Sequence, residues 1–240
     1  GYWGYGMEWL LRANDLSKDI LGKDYYNNDW WKNTAAYGAY MMIPSSSWTK
    51  QNNIVNFADC PRYTWNGPEH LFRAFAKLNK DNTSQWYADQ VAKYNDESHW
   101  LNILWYDPSV KSQSPDKLPL MKHFDNMDLV VSRNNWSGKE SLLVVKCSAP
   151  LGKYVHAIDP SLSKVNDVGH THPDANHFIV FANGEYLFKN NGYVQRQTRF
   201  HSTLLVDDKG QWGEMRSYFK PFPLEPKHDP IINKTWSTPD

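Results

Sequence analysis

Phe178-Ile179-Val180-Phe181-Ala182-Asn183-Gly184-Glu185-Tyr186-Leu187-Phe188 is the stretch that decides the fold class of the second half of the chain. Two runs of aromatic and β-branched residues flank Asn183-Gly184, a pair that tolerates the positive φ angles of a two-residue hairpin turn. The stretch therefore reads as two antiparallel strands. Outward from it, Leu129-Val130-Val131, Leu142-Leu143-Val144-Val145 and Leu204-Leu205-Val206 are further strand candidates separated by turn residues. Upstream of Asp107-Pro108 the period changes. Apolar residues recur at helical spacing over 7–21 (Met7, Leu10, Leu11, Leu16, Ile20, with Gly22 as the stop), 28–42, 69–80 (Leu71, Phe72, Phe75, Ala76, Leu78), 84–94 and 98–105, while 45–66 is polar and rich in turn formers. The pattern predicts an α+β protein with segregated halves: helices over 1–107, a Pro-, Ser- and Lys-bearing linker over 108–122, and antiparallel β structure over 123–240.

Composition narrows the function classes. The 240 residues carry 26 Lys+Arg against 26 Asp+Glu, and neither half has the basic excess of a nucleic-acid binder, which argues against nucleic acid as a partner. Hydrophobic residues at 40% exclude a disordered tail protein. No run is long and apolar enough for a membrane span. Cys60 and Cys147 form neither a disulfide framework nor a metal-binding CxxC pair, and read as two unpaired buried thiols. Aromatic residues reach 15%, which suits ligands with one apolar face and hydroxylated edges, sugars foremost. The chain opens on Gly1-Tyr2-Trp3-Gly4-Tyr5-Gly6 without an initiator Met or a basic leader, so it is read as a mature N terminus or as a piece of something longer.

Histidine placement carries the chemistry. Four of the nine histidines lie between 170 and 201, and the densest run is Gly169-His170-Thr171-His172-Pro173-Asp174-Ala175-Asn176-His177-Phe178. In an extended segment His170, His172 and Asp174 project to one face, because side chains alternate with period two. Two imidazoles and a carboxylate on one face, joined by a distant His201, make a plausible zinc site with an open position. Arg196 and Arg199 stand near that histidine, where planar guanidinium groups suit carboxylate or sulfate. Trp30-Trp31 reads equally well as a sugar-stacking platform or as core.

The run from Gly169 to Gly213 resembles the heparinase II/III-like polysaccharide lyases in its order and spacing. The residues concerned are His170-Thr171-His172-Pro173-Asp174-Ala175-Asn176-His177-Phe178, then Ala182-Asn183-Gly184-Glu185-Tyr186-Leu187, Gly192-Tyr193, His201-Ser202-Thr203-Leu204-Leu205-Val206-Asp207 and Gly210-Gln211. The opening Gly1-to-Gly6 run is similar to the aromatic motif in the helical part of that family, and 127–136 to an early strand of its β domain. The resemblance implies the last helices of an (α/α) toroid followed by an antiparallel β-sandwich. It also implies cleavage of a uronic-acid polysaccharide by β-elimination, with secretion or a bacterial periplasmic location and an anionic polysaccharide as partner.

Residue by residue, the resemblance gives Tyr2 the part of catalytic tyrosine, with Tyr5 beside it toward substrate, and His170 the part of the substrate-facing histidine. His172 and His201 take the place of zinc ligands. Asn190 falls where the family carries an Asp as third ligand, and a neutral amide oxygen is a weaker donor than a carboxylate, so the zinc expected here binds weakly, recruits Asp174, or is absent. That Asn favours a rival reading, a non-catalytic carbohydrate-binding protein on the same scaffold. The motif placement also predicts that these residues are a cut through a larger enzyme and, taken alone, a poor catalyst.

Overall fold

The computed structural model describes residues 2–50, 52–60, 68–148, 152, 170, 172–193, 196–211, 214 and 230–238, and the side chain of Tyr2 lies outside that set. It is an α+β protein of two compact units: Gly1–Val55, Tyr63–Leu118 and Trp136–Gly138 form one, and Asn56–Arg62, Pro119–Asn135 and Lys139–Asp240 the other.

The first unit is helical, with α1 (Tyr2–Leu21), α2 (Trp30–Tyr40), α3 (Glu69–Asn79), α4 (Asn82–Ala92) and the single turn α5 (Asn102–Trp105). Helix α3 is its centre and packs against α1, α2, α4 and α5. Its Leu71, Phe72, Phe75 and Ala76 recur at helical spacing and are all buried, as the periodicity requires. Arg73 on the same helix is buried too, and is satisfied by Asp89 at 2.6 Å with Tyr106 under its guanidinium. Asp81 starts α4 by accepting from the Thr83 amide at 2.9 Å.

Helix α1 begins five residues earlier than the apolar period indicates, because the half-buried Trp3 packs against the core: its indole N–H donates to Thr34 Oγ1 at 3.0 Å and its ring meets Tyr37 and Phe75. Gly38 lets that ring in, since a Cβ there would stand 2.6 Å from Trp3 Cη2. Alanine favours a helix interior over glycine by ~1 kcal/mol, but forcing a methyl into a filled core costs about 1–3 kcal/mol. Gly38→Ala is therefore expected to lower the thermal midpoint, and a variant as stable as the parent would show that Trp3 retreats without penalty. Trp30-Trp31 divides its roles: Trp31 is core at 3% exposure, and Trp30 is 47% exposed against its edge.

The second unit is built on a five-stranded antiparallel sheet in the order β1-β2-β3-β4-β5 (Met121–Phe124, Leu129–Arg133, Leu142–Lys146, His177–Ala182, Glu185–Phe188). Every strand pairs with its neighbour in sequence. The Asn183-Gly184 hairpin forms with φ of 54° and 83°, the positive angles that choose this pair. Alternation fixes one buried face in cross-strand rows: Arg133, Leu142 and Phe181, then Val131, Val144 and Ile179, then Leu129, Lys146 and His177.

Two strand readings change. β1 is an edge strand whose Lys122 and His123 hide its alternation, and it is added to the expected set. The run at 204–206 is not a strand of the sheet among the described residues. Asp207 and Asp208 both take positive φ and fold the chain straight back, leaving one isolated bridge from Val206 to Lys209 and Leu204 77% exposed. Neither Cys60, which is buried, nor Cys147 forms a disulfide.

Candidate functional site

The last row of the buried sheet face ends in polar residues. Lys146 on β3 and His177 on β4 are register partners, and the turn before β4 puts Asp174 beside both. The Lys146 ammonium is 2.5 Å from Asp174 Oδ1, and His177 Nδ1 lies 3.9 Å from Oδ2. His201 enters after the helical turn Thr198–Phe200, with its ring 5.3 Å from that of His177 and 5.0 Å from that of His172. A backbone bond from Phe178 N–H to Ser202 C=O at 3.1 Å holds the His201 segment alongside β4.

The histidine run itself is not extended. Pro173 sits at a bend and Asn176 has φ of 59°, so the expected common face of His170, His172 and Asp174 is broken. His170 Nδ1 and His172 Nε2 instead meet one carboxylate, that of Asp59, at 3.0 and 2.8 Å. Asp174 turns to the other side, toward Lys146, His177 and His201. Two side chains hold this shape. Gln211 both accepts from and donates to the backbone of Ala175, at 2.9 and 2.8 Å, and Thr198 donates to the Pro173 carbonyl at 3.1 Å.

Electrostatically the cluster is a set of neutral rings around one ionised group. Burial pushes His177 and His201 down to about 4, and burial likewise lowers His172. Burial works to raise Asp174, but the Lys146 ammonium prevails and its carboxyl lies below the usual value. Burial also lowers the Arg196 guanidinium, against the attraction of the Asp59 carboxylate.

Several polar atoms in the cluster are buried without a hydrogen-bond partner: His172 Nδ1, Asp174 Oδ2, both ring nitrogens of His177, and His201 Nε2. One donor atom each from Asp174, His177 and His201 fall within 4.8 Å of one another. Neutral imidazoles and a carboxylate are the protonation states a divalent cation requires, so this donor set suits zinc chemically. Asn190 is placed differently. Its Oδ1 contacts His201 Nδ1 at 2.8 Å and its amide donates to the Ala58 carbonyl at 2.9 Å, an arrangement that orients the imidazole and leaves His201 Nε2 as the donor atom.

The remaining sequence-derived residues are placed as follows. His170 is 53% exposed at the rim of the cluster, Arg196 is half-buried, and Arg199 is exposed with its guanidinium over the Phe200 ring. Tyr5 is 52% exposed on α1 with its ring against Trp9, and Tyr2 opens the same helix. Sequence reasoning passed over Asp59, Lys146 and His177. His177 carries a signal after the fact, as the first β-face position of an otherwise apolar strand. Asp59 carries none, since it lies 111 residues from His170.

The helical unit holds a second group, Glu8, His70 and His99, with the two imidazoles stacked at 3.9 Å. There His99 Nδ1 accepts the Leu101 amide at 3.2 Å, which places the proton of the neutral ring on Nε2 and removes it as a metal donor.

Residues 116–228 match the family model described as Heparinase II/III-like, C-terminal. A crystal structure of heparinase III is similar over 83% of this chain and 30% of its own, at 19% identity and a TM-score of 0.56. The heparan sulfate lyase HepC from Pedobacter heparinus is similar over 87% of this chain and 29% of its own, at 17% identity and a TM-score of 0.52. At such identities the likeness is one of fold, and the chain spans less than a third of the length of either structure. No curated protein matches the sequence.

Proposed function

Residues 116–228 belong to the Heparinase II/III-like C-terminal family, and from that premise we propose that the protein is part of a polysaccharide lyase acting on a uronic-acid-containing glycan. The observation that carries the reading is the pairing of a solvent-facing imidazole, His170, with a buried carboxylate at the rim of a histidine cluster. β-Elimination needs a base to take the C5 proton, so that its electron pair forms the C4–C5 double bond as the bond from C4 to the glycosidic oxygen breaks, and an acid to protonate that departing oxygen. Imidazole and phenol groups suit both transfers. In this proposal Tyr2 and His170 perform them, while Tyr5, Arg196 and Arg199 face the anionic polysaccharide.

Zinc in the proposal orders the loop and takes no part in the elimination. His172 and His201 would supply nitrogen donors, Asn190 stands beside His201, and Asp174 and His177 offer donor atoms within 4.8 Å of that of His201. The (α/α) toroid, the sandwich and a secreted or periplasmic location belong to the same proposal. Among the described residues no helix is long and apolar enough to cross a membrane.

The test follows ultraviolet absorbance of the unsaturated product over a panel of uronate polysaccharides, using the longest natural form of the protein. Absorbance growth is expected, with loss of at least about 100-fold in Tyr2→Phe and His170→Ala. Metal analysis without chelator is expected to return zinc, lost in His172→Ala. A second reading, non-catalytic carbohydrate binding, draws on the Asn190 amide in place of a carboxylate. Tight binding to a polysaccharide with no product across the panel would establish it and end the lyase reading.

A further inference from the structure

We infer that Asp59 is a positioning residue that sets the tautomers of His170 and His172 together, from one buried carboxylate. The consequence for His170 deepens the lyase proposal and rests on it, whereas the tautomer assignment itself does not. The Asp59 side chain has no exposure, and it reaches the β unit from a short segment, Asn56–Arg62, contributed by the first half of the chain. Its Oδ2 stands 3.0 Å from His170 Nδ1 and its Oδ1 stands 2.8 Å from His172 Nε2.

A carboxylate only accepts hydrogen bonds, so each of these ring nitrogens carries the hydrogen. The lone pair of each neutral ring then lies on the opposite nitrogen. For His170 that is Nε2, on a ring that is 53% exposed, which is the atom able to take a proton from a bound substrate. For His172 it is Nδ1, which is buried without a hydrogen-bond partner, on a ring 5.0 Å from His201. One side chain therefore aims two imidazoles in opposite senses, one outward and one into the cluster. A carboxylate behind an imidazole also sharpens its orientation and strengthens it as a donor of its lone pair. Burying that carboxylate is costly unless such partners compensate it, so the pairings also account for its presence in the interior.

The experiment is long-range 1H–15N correlation on full-length, 15N-histidine-labelled protein near pH 8, where a neutral ring reports its tautomer directly. His170 is expected as the Nδ1–H form and His172 as the Nε2–H form. In Asp59→Asn the carboxamide offers one oxygen and one N–H2 group, so one of the two rings must switch tautomer. Where turnover is measurable, kcat is expected to fall roughly 100-fold while KM moves less than about threefold, because orientation is lost and binding groups are retained. Finding His170 as the Nε2–H form in the parent, or unchanged tautomers in Asp59→Asn, overturns the assignment. If the variant does not fold, the parent spectrum alone decides. Expected tautomers in a protein that produces no unsaturated sugar would remove the lyase reading and leave Asp59 in its positioning role.

Discussion

Acidifying the protein in chelator from about pH 7 to about pH 4 is expected to unfold it, with the β unit giving way before the helical one. His177 and His201 are buried in the β unit and pushed down to about 4 by that burial, against an ordinary value of 6.5. The unfolded chain takes up these protons as the pH falls through 6.5, and the folded chain refuses them until about 4. Stability is therefore complete above the unfolded value, falls across the window between the two, and has lost its full amount below it. An imidazole moved this far is worth about 3 kcal/mol, so two remove an amount comparable with the ~5–15 kcal/mol stability of a whole domain.

The helical unit carries one such group, His70, lowered to about 4 by burial and then by neighbouring His99, against the opposing pull of Glu8. It should lose about half as much. Urea melts at a series of pH values in chelator, followed by near- and far-ultraviolet circular dichroism, check this. A midpoint that is flat between pH 4 and 7 would show that the rings are not buried as neutral species. Added zinc should shift the transition of the β unit to lower pH, because the metal and protons compete for the same lone pairs.

Arg133→Met is expected to destabilise the β unit by about 3–5 kcal/mol. Arg133 occupies the inward row of the sheet beside Leu142, and its guanidinium lies 2.7 Å from Glu140, with side-chain exposures of 1% and 3%. The attraction in this pair serves mainly to offset the desolvation of both charges, so removing one partner leaves the other buried and uncompensated. Methionine keeps an unbranched, flexible apolar stem in place of the arginine's and lacks only the guanidinium end, which limits cavity formation in the comparison. The double variant Arg133→Met with Glu140→Leu removes both charges and should recover most of the loss. Thermal and urea unfolding of the three proteins decide the matter: a single variant as stable as the parent, or a double variant no better than the single, would contradict this account.

What could be read in advance divides along local and distant causes. The Asn183-Gly184 hairpin, the strands around Val131, Val144 and Ile179, and the apolar face of α3 are written in periods and turn residues, and the structure contains them. The run at 204–206 has strand composition, yet the two left-handed residues that follow it return the chain at once. Trp3 looked like part of an aromatic motif because nothing local announces that Gly38 will receive it.

The site shows the same division. The spacing of His170 and His172 marked where the buried histidine–carboxylate cluster lies, but the expectation of a shared face assumed an extended backbone that the Pro173 bend does not provide. Asp174 consequently joins His177 and Lys146, a grouping set by strand register rather than by sequence spacing. Asp59 joins the histidines from so far away that no local rule could have nominated it.

The neighbour-to-neighbour order of the five strands gives most of the sheet a rapid assembly route, because the β1–β2, β2–β3 and β4–β5 pairings each close a short loop and only β3–β4 spans a longer one, from Lys146 to His177. Asp59 has no such route, because its contacts to His170 and His172 close loops of 111 and 113 residues. The entropy of that closure is recovered only when the sheet is already present to receive the carboxylate. Chain synthesis thus delivers the scaffold in order but completes the Asp59–histidine contacts at the end, and a nascent or partly refolded molecule can own its entire sheet while the imidazoles of His170 and His172 still point at random.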